Sequence, residues 1–262
     1  MSHGPESGLD CAVPPGAGTG GCAPELATEQ AARRAVVATC RETIARGLNT
    51  GRAGNVSLRW HRGGRQGDGM LISPAALACD ALTADDIVWL ALAADEAADG
   101  KVTDDGAAAD EAGRRPSSEW RMHRDLYRSR PDAGAVIHVH SPAATALACL
   151  PRVQRDGIPA FHYMVAVAGG ADIRCAPYRT FGTPELSEVA AAALRDRRAC
   201  LLANHGTLAF AATLAGALEL SCELESLARM YAQILATGEP SILPGDEIER
   251  VLARFADYRQ AG

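Results

Sequence analysis

Lysine is almost absent from this chain: a single residue, Lys101, stands against 25 arginines, and it lies in a polar stretch rich in Asp, Gly and Ala. A Schiff-base mechanism needs a lysine desolvated in a pocket, so Lys101 is a poor candidate and any carbanion chemistry falls to a metal. No run of 18 or more apolar residues occurs, which excludes a membrane-spanning helix. The first residues also lack the basic-then-apolar order of a signal peptide, so the expectation is a cytoplasmic protein with no membrane partner. The net charge of −6 provides no basic footprint, and nucleic acid is not an expected partner. The eight cysteines are scattered without a C-x-x-C pair, which argues for buried reduced thiols and against disulfides or a Cys₄ zinc site.

What is present is an ordinary apolar content of 47% over 262 residues, enough to bury one full α/β core. Residues 1–24 are rich in Gly, Pro and Ala without periodicity and read as a disordered tail. Residues 25–262 read as one domain, interrupted over 93–115 by a small, acidic, aperiodic surface insertion. Strands are expected at 55–60, 69–72, 88–92, 135–139, 199–203 and 207–211. Helices are expected at 25–48, from Pro116 to about Arg130, after Ser141-Pro142, at 213–236 and at 246–258. For the second helix a serine stands near the N-cap with an acid in the first turn. Strands and helices mix without strict βαβ alternation, which predicts a mixed or antiparallel sheet with helices on its faces.

The chemistry-bearing residues lie between 117 and 206. His138 and His140 are two apart on a strand, so their side chains project to one face. Two readings of the pair are open: ligands of one ion, or hydrogen-bonded histidines in a polar patch. His205 follows on an Asn-His-Gly turn, and Glu119 is either a helix-capping acid or a metal ligand and base. Three imidazoles and a carboxylate form a set suited to zinc or a similar borderline ion. His123, one helical turn beyond Glu119, reads as a supporting residue or as helix surface, because four donors already fill a zinc site. Gly54, Asn55, Ser117 and Ser118 supply backbone N–H groups, an amide and hydroxyls, by which an anion can be held; loop and cap chemistry accounts for them equally well.

Six segments resemble the class II aldolase/adducin family: GLNTGRAGNVSLRW (47–60), GMLISP (69–74), PSSEWRMH (116–123), RPDAGAVIHVHSPAATA (130–146), IPAFHYMVAVAGGADIRCAPYRTFGTPELSE (158–188) and NHG (204–206). The fifth resembles the fuculose-phosphate aldolases in particular. The resemblance implies a three-layer α/β/α sandwich around a mostly antiparallel sheet, assembled as a homotetramer with active sites between subunits. It implies Zn²⁺ on His138, His140 and His205 with Glu119 as fourth ligand and proton shuttle, and Tyr163 as a proton donor supplied by a neighbouring subunit. Phe181 and Tyr258 match positions that close over the aldehyde end, and Gly54, Asn55, Ser117 and Ser118 match phosphate-binding positions. The implied activity is cleavage of a ketose 1-phosphate to dihydroxyacetone phosphate and a short aldehyde through a metal-stabilised enediolate.

One departure stands out. Where the family has Thr-Pro-Thr-Gly, this chain has Ser73-Pro74-Ala75-Ala76, which removes a hydroxyl and a glycine from the phosphate loop. Arg52 is the candidate to compensate, through a bidentate contact. Relatives on the same scaffold include a 4-epimerase, a dehydratase and decarboxylases, and adducin-type members serve as structural modules without catalysis. The latter are expected to lack the metal ligands, whereas here all four are present.

Overall fold

The computed structural model describes residues 26–63, 67–93 and 113–260; the tail expected over 1–24 and nearly all of the insertion expected over 93–115 lie outside the described residues. The core is a seven-stranded sheet in the order β3-β2-β1-β4-β9-β8-β7. Its strands are β1 (Asn55–Arg62), β2 (Gly67–Ile72), β3 (Val88–Ala91), β4 (Ala135–Val139), β7 (Cys175–Ala176), β8 (Ala199–Leu202) and β9 (Gly206–Ala211). Every neighbouring pair is antiparallel except β7 with β8. Two further short strands, β5 (Ile158–Pro159) and β6 (Asp172–Ile173), pair with each other.

Side-chain alternation divides the core into layers. On β4, Ala135, Ile137 and Val139 join a cluster with Ala32 and Val36 of α1 (Glu29–Ala45) and with Leu214 and Ala217 of α6 (Leu214–Thr237). On the other face, Val136 joins Trp120, Leu126 and Tyr127 of α2 (Trp120–Ser129) and Leu186 and Ala190 of α5 (Pro184–Ala193). A third cluster packs α3 (Pro142–Ala148) and α4 (Pro151–Asp156) against the middle of α6. The result is the three-layer α/β/α arrangement with a mostly antiparallel sheet. The last helix, α7 (Gly245–Gln260), sets Ile248 against Ala160 and Ala166. Among the described residues no helix is long and apolar enough to cross a membrane.

Local signals explain most boundaries. Thr28 caps α1 by accepting from the Ala31 N–H at 3.1 Å, so the helix begins four residues later than its apolar stripe suggests. Glu29, in the first turn, receives Arg62 of β1 at 2.6 Å and Arg33 at 2.7 Å, tying the helix to the sheet. The Arg62 hydrogen bond outweighs the opposing effect of burial, and with Arg33 it lowers the Glu29 carboxyl to about 2. A carboxyl whose folded pKa is depressed stabilises the fold above its unfolded value and loses that contribution as pH falls. Glu29→Gln is therefore expected to lower stability at pH 7 by about 1 kcal/mol, allowing for solvent screening. Thermal melts from pH 7 to 2 check this: the gap to the parent should close between about pH 4.5 and 2, and a gap independent of pH would refute it.

Candidate metal and active site

β4 is the middle strand of seven, and its carboxyl end carries the first two histidines. In register, His138 lies between Asn55 of β1 and Leu208 of β9. It shares the face of Val136, toward α2. His140 follows just beyond the strand, and its backbone N–H donates to Asn49 Oδ1 at 2.9 Å. The third histidine arrives on the turn between β8 and β9, where Asn204 adopts a left-handed conformation (φ 54°). Asn tolerates that region better than most side chains, and here its amide oxygen also accepts from Gln154 at 2.8 Å. Gly206 completes the turn: a Cβ there would collide with the Val139 carbonyl and stand 2.9 Å from the His140 ring.

These placements bring one ligand atom from each of His138, His140 and His205 within 4.8 Å of one another. Ring centroids are 4.8 to 5.0 Å apart. His138 Nδ1 lies 2.8 Å from the Thr207 carbonyl oxygen. A carbonyl can only accept, so Nδ1 carries the proton and Nε2 is left to face the centre of the group. Glu119 completes the set, with Oε2 at 3.2 Å from His138 Nε2 and Oε1 at 3.2 Å from His205 Nε2.

The structure corrects the expected start of α2. Neither serine is its N-cap; Glu119 itself occupies that position and makes no capping hydrogen bond. Its carboxylate turns away from the helix and into the histidine group. Likewise Ser141 stands at the N-cap of α3 without capping it by its side chain. Glu225 of α6 does so instead, accepting from the N–H groups of Ala143 and Ala144 at 2.9 Å each.

Electrostatics follow from this crowding. Burial opposes ionisation of Glu119, but the charge and hydrogen bonds of His138 and His205 outweigh it and hold its carboxyl well below the usual range. Burial also opposes protonation of His138, yet the Glu119 charge raises its proton affinity overall. His140 moves the other way, to about 4, through burial and then the neighbouring imidazoles. The site thus draws in positive charge at one point. Two features fit a cation there: three imidazoles and a carboxylate form a zinc-type donor set, and buried Glu119 Oε1 has, among the described residues, only the His205 imidazole beside it, at 3.2 Å.

A cavity of about 330 Å³ opens above the group, lined by Glu119, His140 and His205 at its floor. Its walls bring in Gly54, Asn55, Ser117 and Ser118, and also Arg52, Ala75, Ala76, Arg179 and Phe181. Gly54 is required: its φ is +74°, and a Cβ would meet the Asn49 amide and stand 2.5 Å from the His138 carbonyl oxygen. Ala76 keeps a left-handed φ of 62° although it is not glycine, a conformation that costs a β-carbon roughly 1–2 kcal/mol. Ala76→Gly is accordingly expected to raise stability by about 1 kcal/mol, since glycine's greater unfolded freedom offsets part of the relief. Chemical denaturation measures it, and a loss of stability would show that the methyl group packs usefully.

Tyr163 does not line this cavity. Tyr163 is 49% exposed on the 3-10 segment Tyr163–Ala168. Tyr258 lies on α7, with its side chain outside the described residues. His123 is no surface residue: it is wholly buried beside Asn55 and Ser57. The sequence offered a signal for it, since Trp120, His123 and Tyr127 recur at helical spacing on the buried stripe of α2. Asn49, Thr207 and Glu225 were missed, and nothing local marks them.

Comparison with known proteins agrees with this geometry. Residues 34–232 match the model of the family described as Class II Aldolase and Adducin N-terminal domain. A Rhodospirillum rubrum protein named 5-methylthioribulose-1-phosphate/5-deoxyribulose-1-phosphate aldolase is 46% identical over 228 residues, covering 87% of this chain and 92% of that protein. The L-fuculose phosphate aldolase of Escherichia coli K12 is 45% identical over 226 residues, covering 86% and 94%. Among solved structures, an L-fuculose 1-phosphate aldolase superposes with a TM-score of 0.72 at 37% identity, over 86% of this chain and 95% of that one.

Proposed function

We propose that this chain, which belongs to the class II aldolase and adducin family, is a zinc-dependent lyase that cleaves a ketose 1-phosphate to dihydroxyacetone phosphate and a short aldehyde. The observation that carries the reading is Glu119, a buried carboxylate at a helix start that does not cap the helix and instead stands among three imidazoles. In this reading His138, His140 and His205 hold the ion, with Glu119 as the fourth ligand. A zinc ion bound there supplies Lewis-acid polarisation of the ketose carbonyl, the role a lysine imine plays elsewhere.

The protein's own groups do the rest. In the direction of bond formation, ionised Glu119 takes a proton from C3 of dihydroxyacetone phosphate, and Tyr163 of a neighbouring copy donates its phenol proton to the aldehyde oxygen as the C3–C4 bond forms. Cleavage is the reverse: the tyrosinate takes back the C4 hydroxyl proton, Glu119 returns its proton to C3, and a proton passing from Tyr163 to Glu119 restores the starting state. Half-exposed Tyr163, away from its own chain's cavity, supports a site completed by a second subunit in a homotetramer. Phe181 at the cavity wall and Tyr258 on α7 close over the aldehyde end. Gly54, Asn55, Ser117 and Ser118 hold the phosphate.

Arg52 lines the same cavity as Ala75 and Ala76, which supports its role as the phosphate partner that replaces the missing loop hydroxyl. One hydrogen bond to a charged group contributes roughly 1.5–3 kcal/mol. Arg52→Ala is therefore expected to raise KM for a phosphorylated substrate by about 10-fold or more with kcat little changed. An unchanged KM would remove Arg52 from phosphate binding.

Near-equal identity to aldolases named for different sugars makes the sugar itself the open choice. Zinc-loaded protein should be assayed for dihydroxyacetone phosphate release from L-fuculose 1-phosphate, 5-deoxyribulose 1-phosphate and 5-methylthioribulose 1-phosphate, beside the unphosphorylated sugars. Release from a phosphorylated member establishes the activity and ranks the aldehydes. Silence across the panel with zinc bound would overturn the reading in favour of a dehydratase, epimerase or decarboxylase.

A further inference from the structure

A chain of buried polar groups runs from the interior of α2 to the rim of the site. Tyr127 Oη lies 2.8 Å from Ser57 Oγ, and Ser57 Oγ lies 2.7 Å from His123 Nδ1. His123 Nε2 is 2.5 Å from Asn55 Oδ1, and Asn55 Nδ2 is 2.9 Å from Glu119 Oε2. All five residues are buried, His123 and Ser57 completely.

The chemistry of the groups allows one direction of donation. Ionised Glu119 can only accept, so Asn55 must turn its NH₂ toward it. The amide oxygen of Asn55 then faces His123 and needs a donor, which puts the imidazole proton on Nε2. His123 Nδ1 therefore accepts from the Ser57 hydroxyl, and Ser57 accepts from Tyr127. Burial, followed by the charge of His138, lowers His123 to about 3, so the ring stays neutral, as this pattern requires.

We propose that His123 is a positioning residue: its Nε2–H fixes which end of the Asn55 amide faces Glu119, and thereby holds one carboxylate oxygen in place while the other faces His205 Nε2 at 3.2 Å. Without the donor at Nε2 the amide can rotate and set its carbonyl against the carboxylate, displacing Glu119 from the histidine group. Asn55 Nδ2 also lies 3.0 Å from Ser117 Oγ, so the same amide orders a wall of the cavity.

The inference rests on the reading of Glu119 as a metal ligand, but its test needs no substrate. Zinc affinity is measured by competition with a chromogenic chelator for the parent, His123→Leu, His123→Gln, Asn55→Ala and the His123→Leu/Asn55→Ala double variant. Groups that orient a ligand typically contribute about 10- to 100-fold in metal affinity. His123→Leu should lose about 10-fold within that range, while His123→Gln, whose amide can still donate to Asn55, should recover most of it. Because His123 acts through Asn55, the double variant should bind zinc no more weakly than the weaker single variant.

Parent-like affinity in His123→Leu, or losses that multiply in the double variant, would overturn the proposal. Should His123→Leu fail to fold, Ser57→Ala removes the donor to Nδ1 with little change of volume. It should weaken zinc in the parent background and have no further effect once Asn55 is alanine; a full effect in both backgrounds refutes the relay. If the zinc pattern holds while no sugar phosphate is cleaved, the aldolase reading fails and the positioning role stands.

Discussion

Glu119→Gln is expected to keep zinc and lose turnover. Three histidines remain to hold the ion, which is the usual number of protein ligands in a catalytic zinc site. Glutamine preserves the shape of the side chain, and its amide oxygen can still accept from Asn55, which meets Oε2 at 2.9 Å in the parent. What it cannot do is carry a proton to and from carbon. Positioned acid–base groups contribute about 10²- to 10⁴-fold, and kcat should fall within that range while the metal stays near one per chain. Elemental analysis beside the coupled assay reads both. Parent-like turnover would remove Glu119 from the proton transfer, and loss of the metal would make the carboxylate a structural ligand first.

Gly54→Ala should produce the largest loss of stability. At φ +74° a β-carbon costs roughly 1–2 kcal/mol, and the space it needs is taken by the Asn49 amide and the His138 carbonyl. Displacing packed neighbours adds about 1–3 kcal/mol, for a total of about 3 kcal/mol. For a chain of this size that lowers Tm by roughly 10 °C. The damage is also directed, because Asn49 holds the backbone of His140 at 2.9 Å, so zinc affinity should fall with stability. A variant that melts with the parent would mean the turn can open without disturbing β4.

Much of this architecture could be read before the fold was seen. Strands at the sheet centre announce themselves as short apolar runs stopped by turn residues, and H-x-H at the end of one places two imidazoles on one face by geometry alone. The limits were equally physical. β7 has two residues, too few to show a period, so its parallel pairing with β8 left no trace, and α5 followed it unseen. β1 alternates, yet its polar face of Asn55, Ser57 and Arg59 is covered by α2 rather than water: Asn55 and Ser57 are buried against His123, and Arg59 reaches the Tyr127 carbonyl. Alternation marks two faces; it does not say what covers them. The roles of Asn49, Thr207 and Glu225 depend on contacts across 69 to 91 positions of sequence, and only the folded chain reveals them.

Two helices begin beside the four donors, α2 after Glu119 and α3 after His140, and both starts present backbone N–H groups with the positive end of a helix dipole. At α3 the protein has supplied its own anion, since Glu225 occupies the N–H groups of Ala143 and Ala144 with both carboxylate oxygens. At α2 no side chain caps the helix, and Ser117, Ser118 and Gly54 line the cavity next to it. The two starts are therefore unequal: the first donors of α3 are taken by Glu225, while the start of α2 stands at the cavity wall beside the Ser117 and Ser118 side chains. In the proposed reading this asymmetry would give the cavity a polarity, with the phosphate end of the sugar toward Ser118 and the opposite end toward His205 and Phe181.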